Sequence, residues 1–74
     1  MDISTTVGQL LKQNRFYKNT IYRMSEPFGD RNYDYIGREG AMIIMRPCAT
    51  SQTDGNDVDL NLYSKDIKVK IIKL

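Results

Sequence analysis

The chain has 74 residues, of which 41% are apolar, and a formal net charge of +2. This length corresponds to one small domain spanning residues 1–74, and the apolar fraction is sufficient for a folded core. Cys48 is the only cysteine and histidine is absent. These two facts exclude an intramolecular disulfide and a four-ligand zinc site, and they leave no histidine to act as a general base.

The chain shows no targeting or membrane-spanning pattern. The first residues lack the basic and apolar regions of a signal peptide, and the longest apolar run, residues 41–45, is much shorter than the ~20 residues that a membrane helix needs. A single cysteine is typical of a protein from a reducing compartment. The sequence therefore predicts a cytoplasmic protein with no membrane partner.

A short helix is predicted near the start of the chain. Thr6 and Gln9 have the spacing of a capping box, in which each side chain satisfies a backbone amide of the first turn. An apolar stripe follows at helical spacing: Val7, Leu10 and Leu11. Asn14 is a residue type that tolerates the left-handed conformation, which predicts the helix end there.

Short strands are predicted for the remainder of the chain, over residues 16–25, 33–36, 41–45, 58–63 and from 67 onward. Asn19 offers an alternative, as a turn that delays the first of these strands. Residues 26–32 and 48–56 are predicted to be loops by composition. The acidic strand over 58–63 and the basic strand after it are expected to pair with each other.

The centre of the prediction is a hairpin over residues 33–47. Residues 41–45 are apolar at both alternating sets of positions, which indicates a strand covered on both faces. The turn is predicted as a type I turn over Arg38 and Glu39, followed by Gly40 in the left-handed conformation. On this basis Gly40→Ala should cost more stability than Gly37→Ala.

One helix and about five short strands indicate a mainly β protein. We expect a small antiparallel barrel, SH3-like or OB-like, because closure removes the exposed edges of a flat sheet. An open α+β sheet with the helix on one face is the alternative.

No pattern of catalysis or metal binding is present. The acidic residues around 54–59 do not fit a calcium loop, because Val58, Asp59 and Lys65 occupy its fifth, sixth and twelfth positions. Asp54 and Gly55 are better explained as turn residues. Nucleotide-binding glycine motifs are missing as well. The sequence predicts no enzyme, no cofactor and no metal site.

Arginines interleaved with tyrosines are the positive indication of function. The predicted binding residues lie around the central hairpin: Arg31, Tyr33, Tyr35, Arg38 and Arg46. Tyrosine and arginine are enriched at protein interfaces, and they also stack on bases and contact phosphates. The structural alternative is that Tyr33 and Tyr35 belong to the core and that the arginines are solvated.

Residues 35–43 resemble the glycine-turn-glycine hairpin of KOW-type SH3-like barrels in ribosomal and transcription-elongation proteins. That family places β-branched residues after the second glycine, where this chain has Ala41 and Met42. The resemblance is confined to this hairpin and does not assign the chain to the family.

The sequence thus predicts a small binding module without enzymatic activity that engages another protein. A regulator or inhibitor that occludes its partner, of the kind that phages and mobile elements encode, is the expected class. An RNA or single-stranded DNA binder is the alternative, although the modest net charge does not favour it. A homo-oligomer is a further alternative, since a partner subunit could cover residues 41–45.

Overall fold

The computed structural model describes residues 2–48 and 56–74, which form one antiparallel sheet and one short helix. The elements in chain order are β1 (Asp2–Thr6), α1 (Val7–Gln13), β2 (Thr20–Glu26), β3 (Gly29–Glu39), β4 (Met42–Pro47), β5 (Val58–Asp59), a 3-10 turn (Leu60–Leu62) and β6 (Lys68–Lys73). No helix in the described part of the chain is long and apolar enough to cross a membrane.

The strands are arranged in the order β1-β6-β2-β3-β4-β5. The structure confirms a small, mainly β, antiparallel domain with one short N-terminal helix. The expected closure into an SH3-like or OB-like barrel is wrong: β1 and β5 lie at opposite ends of the sheet, which is open, as in the alternative. Closure would require β1 to pair with β5, which is only two residues long.

Helix α1 has the predicted start and end. The Thr6 hydroxyl accepts a hydrogen bond from the Gln9 amide at 3.2 Å, and Asn14 ends the helix with φ +58° while its amide donates to the Leu10 carbonyl. A helix of two turns is marginal in isolation, so burial of its apolar stripe must hold it in place. Val7 and Leu10 are fully buried against the sheet.

The core lies between α1, the 3-10 turn and one face of the sheet, called here the inner face. Alternate residues of each strand point to this face, because side chains in a strand alternate between the two sides. The core consists of Val7, Leu10, Tyr22, Met24, Tyr33, Ile43, Met45, Leu60 and Val69. Two large tyrosines, paired across β2 and β3, form its centre.

The segment over residues 26–32, predicted as a loop, is instead a tight hairpin. β2 and β3 remain paired up to Glu26 opposite Gly29, so only Pro27 and Phe28 form the turn. Gly29 has φ +126°, which a residue with a side chain rarely adopts. Because residues 29–32 are glycine and polar side chains, their composition did not indicate the long strand that begins at Gly29.

The turn between β3 and β4 lies later than predicted. Pairing continues to Glu39 opposite Met42, so Gly40 and Ala41 form a two-residue turn. Gly40 has φ +60° and occupies the first central position, which is where a type II′ turn takes glycine. The positive φ predicted for Gly40 is therefore confirmed, whereas the type I turn over Arg38 and Glu39 is wrong. Ile36 has no opposite residue on β4, so β3 has a bulge between Tyr35 and Gly37.

The strand over residues 41–45 is fully covered on one face only. Ile43 and Met45 are buried, Ile44 is half-buried and Met42 is 44% exposed. No second layer of described elements covers the opposite side, which is why the apolar residues there remain accessible to solvent.

The strand predicted over residues 58–63 is wrong beyond Asp59. The Asp59 carboxylate accepts hydrogen bonds from the Asn61 amide at 3.0 Å and the Ile43 amide at 3.1 Å, and it starts the 3-10 turn. The expected pairing of the acidic and basic strands is also wrong, since β5 pairs with β4 and β6 pairs with β1 and β2. The loop predicted over 48–56 lies mostly outside the described residues.

Candidate functional site

Tyr33 belongs to the core and not to a surface. Its side chain is 1% exposed, and its hydroxyl lies 2.5 Å from the Glu26 carboxylate and 2.9 Å from the Tyr63 hydroxyl. Because Tyr33 donates its only hydroxyl hydrogen to Glu26, Tyr63 is the donor in the second bond. Burial, followed by the bonds to Glu26 and Tyr63, raises the pKa of Tyr33.

Tyr35 and Arg38 are engaged by the segment that follows α1. The half-buried Tyr35 ring stacks on Phe16 with 5.3 Å between the ring centroids. The Arg38 guanidinium lies 5.6 Å from the Phe16 centroid and donates two hydrogen bonds to Asn14, at 2.7 and 2.9 Å. Arg38 therefore ties the β3–β4 hairpin to the end of the helix, where a cation also suits the helix dipole.

Arg46 and Arg31 lie on opposite faces of the sheet. Arg46 pairs with the exposed Asp57 at 2.8 Å, and the hydrogen bond from Arg46 lowers the pKa of that carboxyl. Arg31 of β3 is exposed and lies on the inner face, opposite Met24 of β2. It has no hydrogen-bond partner among the described residues. The five predicted binding residues thus do not form one surface.

The opposite side of the sheet, called here the outer face, carries an apolar cluster that the sequence reasoning missed. It consists of Ile21, Ile36, Ile44 and Ile72 and is called here the isoleucine cluster. Ile21 is directly opposite Ile72 across β2 and β6, while Ile36 is the bulged residue of β3 beside Ile44 of β4. All four are half-buried, yet none is among the partly buried residues that pack against the core.

Cations flank the isoleucine cluster along one side. Lys70 of β6 is opposite Arg23 of β2, and Arg23 is opposite Asn32 of β3, whose side-chain oxygen accepts from the arginine at 2.9 Å. Lys68 continues the row and is exposed. Carboxylates lie on the same face: Asp34 is opposite Ile21 and also opposite Arg46, and Asp59 is opposite Ile44. The outer face therefore combines half-buried isoleucines with a basic row on one side and with carboxylates among the other strands.

A strand pattern could have revealed this face. In β2 the set Thr20, Tyr22 and Met24 is buried, and the intervening Ile21 and Arg23 are half-buried. Ile21 is therefore the one apolar residue in the outward set of β2, and this is the local signal for an apolar position on the outer face.

Cys48 is not placed as a nucleophile. It is half-buried, and burial followed by the nearby charge of Asp34 raises the pKa of its thiol. A raised pKa lowers the thiolate fraction at neutral pH, and the thiolate is the reactive form. No group of three or more Cys, Asp or Glu side chains within residues 2–48 and 56–74 is arranged to hold a metal ion.

The chain matches no protein-family model, no curated protein and no solved structure.

Proposed function

We propose that this protein is a binding module without enzymatic activity, and that another protein docks on its outer face. The isoleucine cluster carries the proposal. Sheets bury their apolar faces against a second layer, and the described part of the chain supplies that layer only on the inner side. A partner would remove the cluster from water. Burying a fully exposed side chain of this size contributes about 1.5–3 kcal/mol, and each half-buried isoleucine would contribute part of that amount.

The charges around the cluster define the partner's chemistry. Lys70 is opposite Arg23, and Lys68 lies two residues before Lys70 on β6. The partner surface should therefore be apolar over the isoleucines and acidic over these three cations. A partner covered in this way would be occluded, which is consistent with a regulator or inhibitor.

RNA or single-stranded DNA is the second candidate. The same basic row could follow a phosphate backbone, which favours this alternative. Binding of single strands also relies on exposed aromatic side chains that stack on bases. Tyr22 and Tyr33 are buried in the core, and isoleucines occupy the centre of the outer face, which makes this candidate the weaker one.

Substitutions on the same strand test the proposal. A partner is first captured from the source cell, identified, produced separately and titrated by calorimetry against the wild type, Ile21→Lys and Ser25→Lys. Ser25 is exposed on the same face of β2 and lies beside Lys68, so a lysine there adds the same charge without altering the isoleucines. We expect Ile21→Lys to weaken binding about tenfold or more, and Ser25→Lys to bind as tightly as the wild type or more tightly, because it extends the basic row. Equal affinity of all three proteins would refute docking at the cluster.

A salt series separates the two candidates. Binding of mixed-sequence oligonucleotides that weakens steeply from low salt to about 200 mM would favour the nucleic-acid function, since released counterions drive such binding. No binding at about 50 mM salt would remove it. Light scattering of the purified protein tests whether a second copy covers the cluster instead.

A further inference from the structure

The edge strand β1 has backbone groups that point away from the sheet. β1 pairs with β6 so that Ile3 is opposite Ile71 and Thr5 is opposite Val69. The Val7 amide extends this ladder by donating to the Ile67 carbonyl at 2.9 Å. Hydrogen-bonded pairs alternate along an antiparallel ladder. Ile3, Thr5 and Val7 therefore bond to β6, and the amide and carbonyl of Ser4 point outward from the edge.

Asp2 is the one charged residue of β1, and residues 3–6 carry no charge, proline or bulge. Natural edge strands are blocked by charged residues, prolines or bulges, whereas this stretch is Ile-Ser-Thr-Thr in unbroken register with β6. The opposite edge differs, because β5 has two residues and leads directly into the 3-10 turn. β1 is thus the edge that can accept a further strand.

A groove runs along β1 on the inner side, between this strand and α1. Ile3 and Ile71 are its accessible apolar residues, the buried Leu10 and Tyr22 lie beneath them, and Arg15 and Lys73 are its charged residues. Ile3 is 45% exposed there, although it is apolar and lies on the side of the sheet that carries the core. A groove beside an open edge is the arrangement by which strand-adding domains select side chains.

We infer that β1 binds an extended segment of a partner protein as an added antiparallel strand, with acidic and apolar residues alternating along that segment. The residue opposite Ser4 would share the outer face with Lys70, which neighbours Ser4 on β6. The residues on either side of it would lie over Ile3 and Thr5, beside the groove. Cations border both sides of the site, Lys68 and Lys70 on one and Arg15 and Lys73 on the other, so the complementary segment is acidic.

The backbone of Ser4 provides the test. Ser4→Pro removes the outward amide and places a ring at the edge, but it breaks no hydrogen bond to β6, and proline is tolerated in edge strands with this orientation. Ser4→Ala keeps the amide and is the matched control. The probe is a fluorescein-labelled peptide of alternating Glu and Val, with alternating Lys and Val as the charge control. Circular dichroism melts of all variants verify folding.

We expect the wild type and Ser4→Ala to bind the Glu-Val peptide equally by fluorescence anisotropy, and Ser4→Pro to bind it about tenfold or more weakly. The Lys-Val peptide should bind weakly to all of them. Equal binding by Ser4→Pro and Ser4→Ala, or no wild-type binding at millimolar peptide, would overturn the inference. A concentration-dependent dimer that only Ser4→Pro abolishes would also overturn it, by assigning the edge to a second copy. Ile21→Lys should leave peptide binding unchanged, which separates this site from the isoleucine cluster.

Discussion

Tyr33→Phe should be among the more destabilising changes that leave the volume of the core unaltered. The substitution removes one hydroxyl from a side chain that is 1% exposed, so the packing of the ring is retained. The hydroxyl has two partners, the Glu26 carboxylate at 2.5 Å and the Tyr63 hydroxyl at 2.9 Å. Both partners lose a hydrogen bond that the phenyl ring cannot replace.

The size of the loss follows from the character of these bonds. A hydrogen bond to a charged group contributes about 1.5–3 kcal/mol and a neutral one about 0.5–1.5 kcal/mol. Glu26 and Tyr63 are half-buried, so water can replace part of what is lost. We therefore expect the free energy of unfolding to fall by about 2 kcal/mol, which for a domain of this size lowers Tm by roughly 8–16 °C.

Urea denaturation followed by circular dichroism measures this difference, with Tyr35→Phe as the matched control. The Tyr35 hydroxyl makes no hydrogen bond within residues 2–48 and 56–74, so its removal should change the free energy of unfolding by less than about 0.5 kcal/mol. Equal losses for the two variants, or a loss below that value for Tyr33→Phe, would refute the assigned network.

The Tyr33 hydroxyl also makes the stability of the folded state depend on pH in the alkaline range. The pKa of Tyr33 is raised in the folded state, and that of Tyr22 is raised too, mainly by burial. Both groups therefore contribute stability that is fully present below the unfolded tyrosine pKa of about 10 and is lost as the pH rises above it. Tyr33→Phe should reduce this alkaline loss.

Three further outcomes are expected from unfolding measurements. Arg38→Ala should lower the free energy of unfolding by about 1–2 kcal/mol, because it removes two hydrogen bonds to Asn14 and the contact with the Phe16 ring. Arg31→Ala should leave the free energy of unfolding nearly unchanged. Equal effects would contradict the contact between the hairpin and the helix end. An added methyl meets no atom within 4 Å at Gly40 or at Gly37, so the backbone decides between them. Gly40→Ala should cost about 1–2 kcal/mol because its φ is positive, and Gly37→Ala should cost less because its φ is not. Burial raises the pKa of Asp59, but its bonds from backbone amides outweigh this and lower it overall, so its contribution is present above the unfolded carboxyl pKa of about 4 and is lost as the pH falls. Asp59→Asn should flatten that acid loss, and an unchanged acid profile would contradict the assignment.

Local chemistry determined the features that the sequence predicted correctly. Thr6 and Asn14 act within a few residues of themselves, so the start and end of the helix could be read directly from the chain. The positive φ of Gly40 was likewise a local matter, because only glycine takes such a conformation at low cost. The alternation of apolar and polar residues was enough to indicate a mainly antiparallel β domain.

Strand pairing between distant parts of the chain determined the features that the sequence did not predict. β1 was not recognised as a strand, since its stability comes from β6 at the other end of the chain. The sheet stays open because Asp59 bonds to Ile43 and turns the chain after two residues of β5. The same pairing divided the predicted binding residues. It placed Tyr33 in the core and Arg38 on the helix end, and it brought four isoleucines from four different strands together on the outer face. Each strand alone shows only one of them, so its alternation can indicate a single outward apolar position, whereas the strand order and register place the four positions on one face.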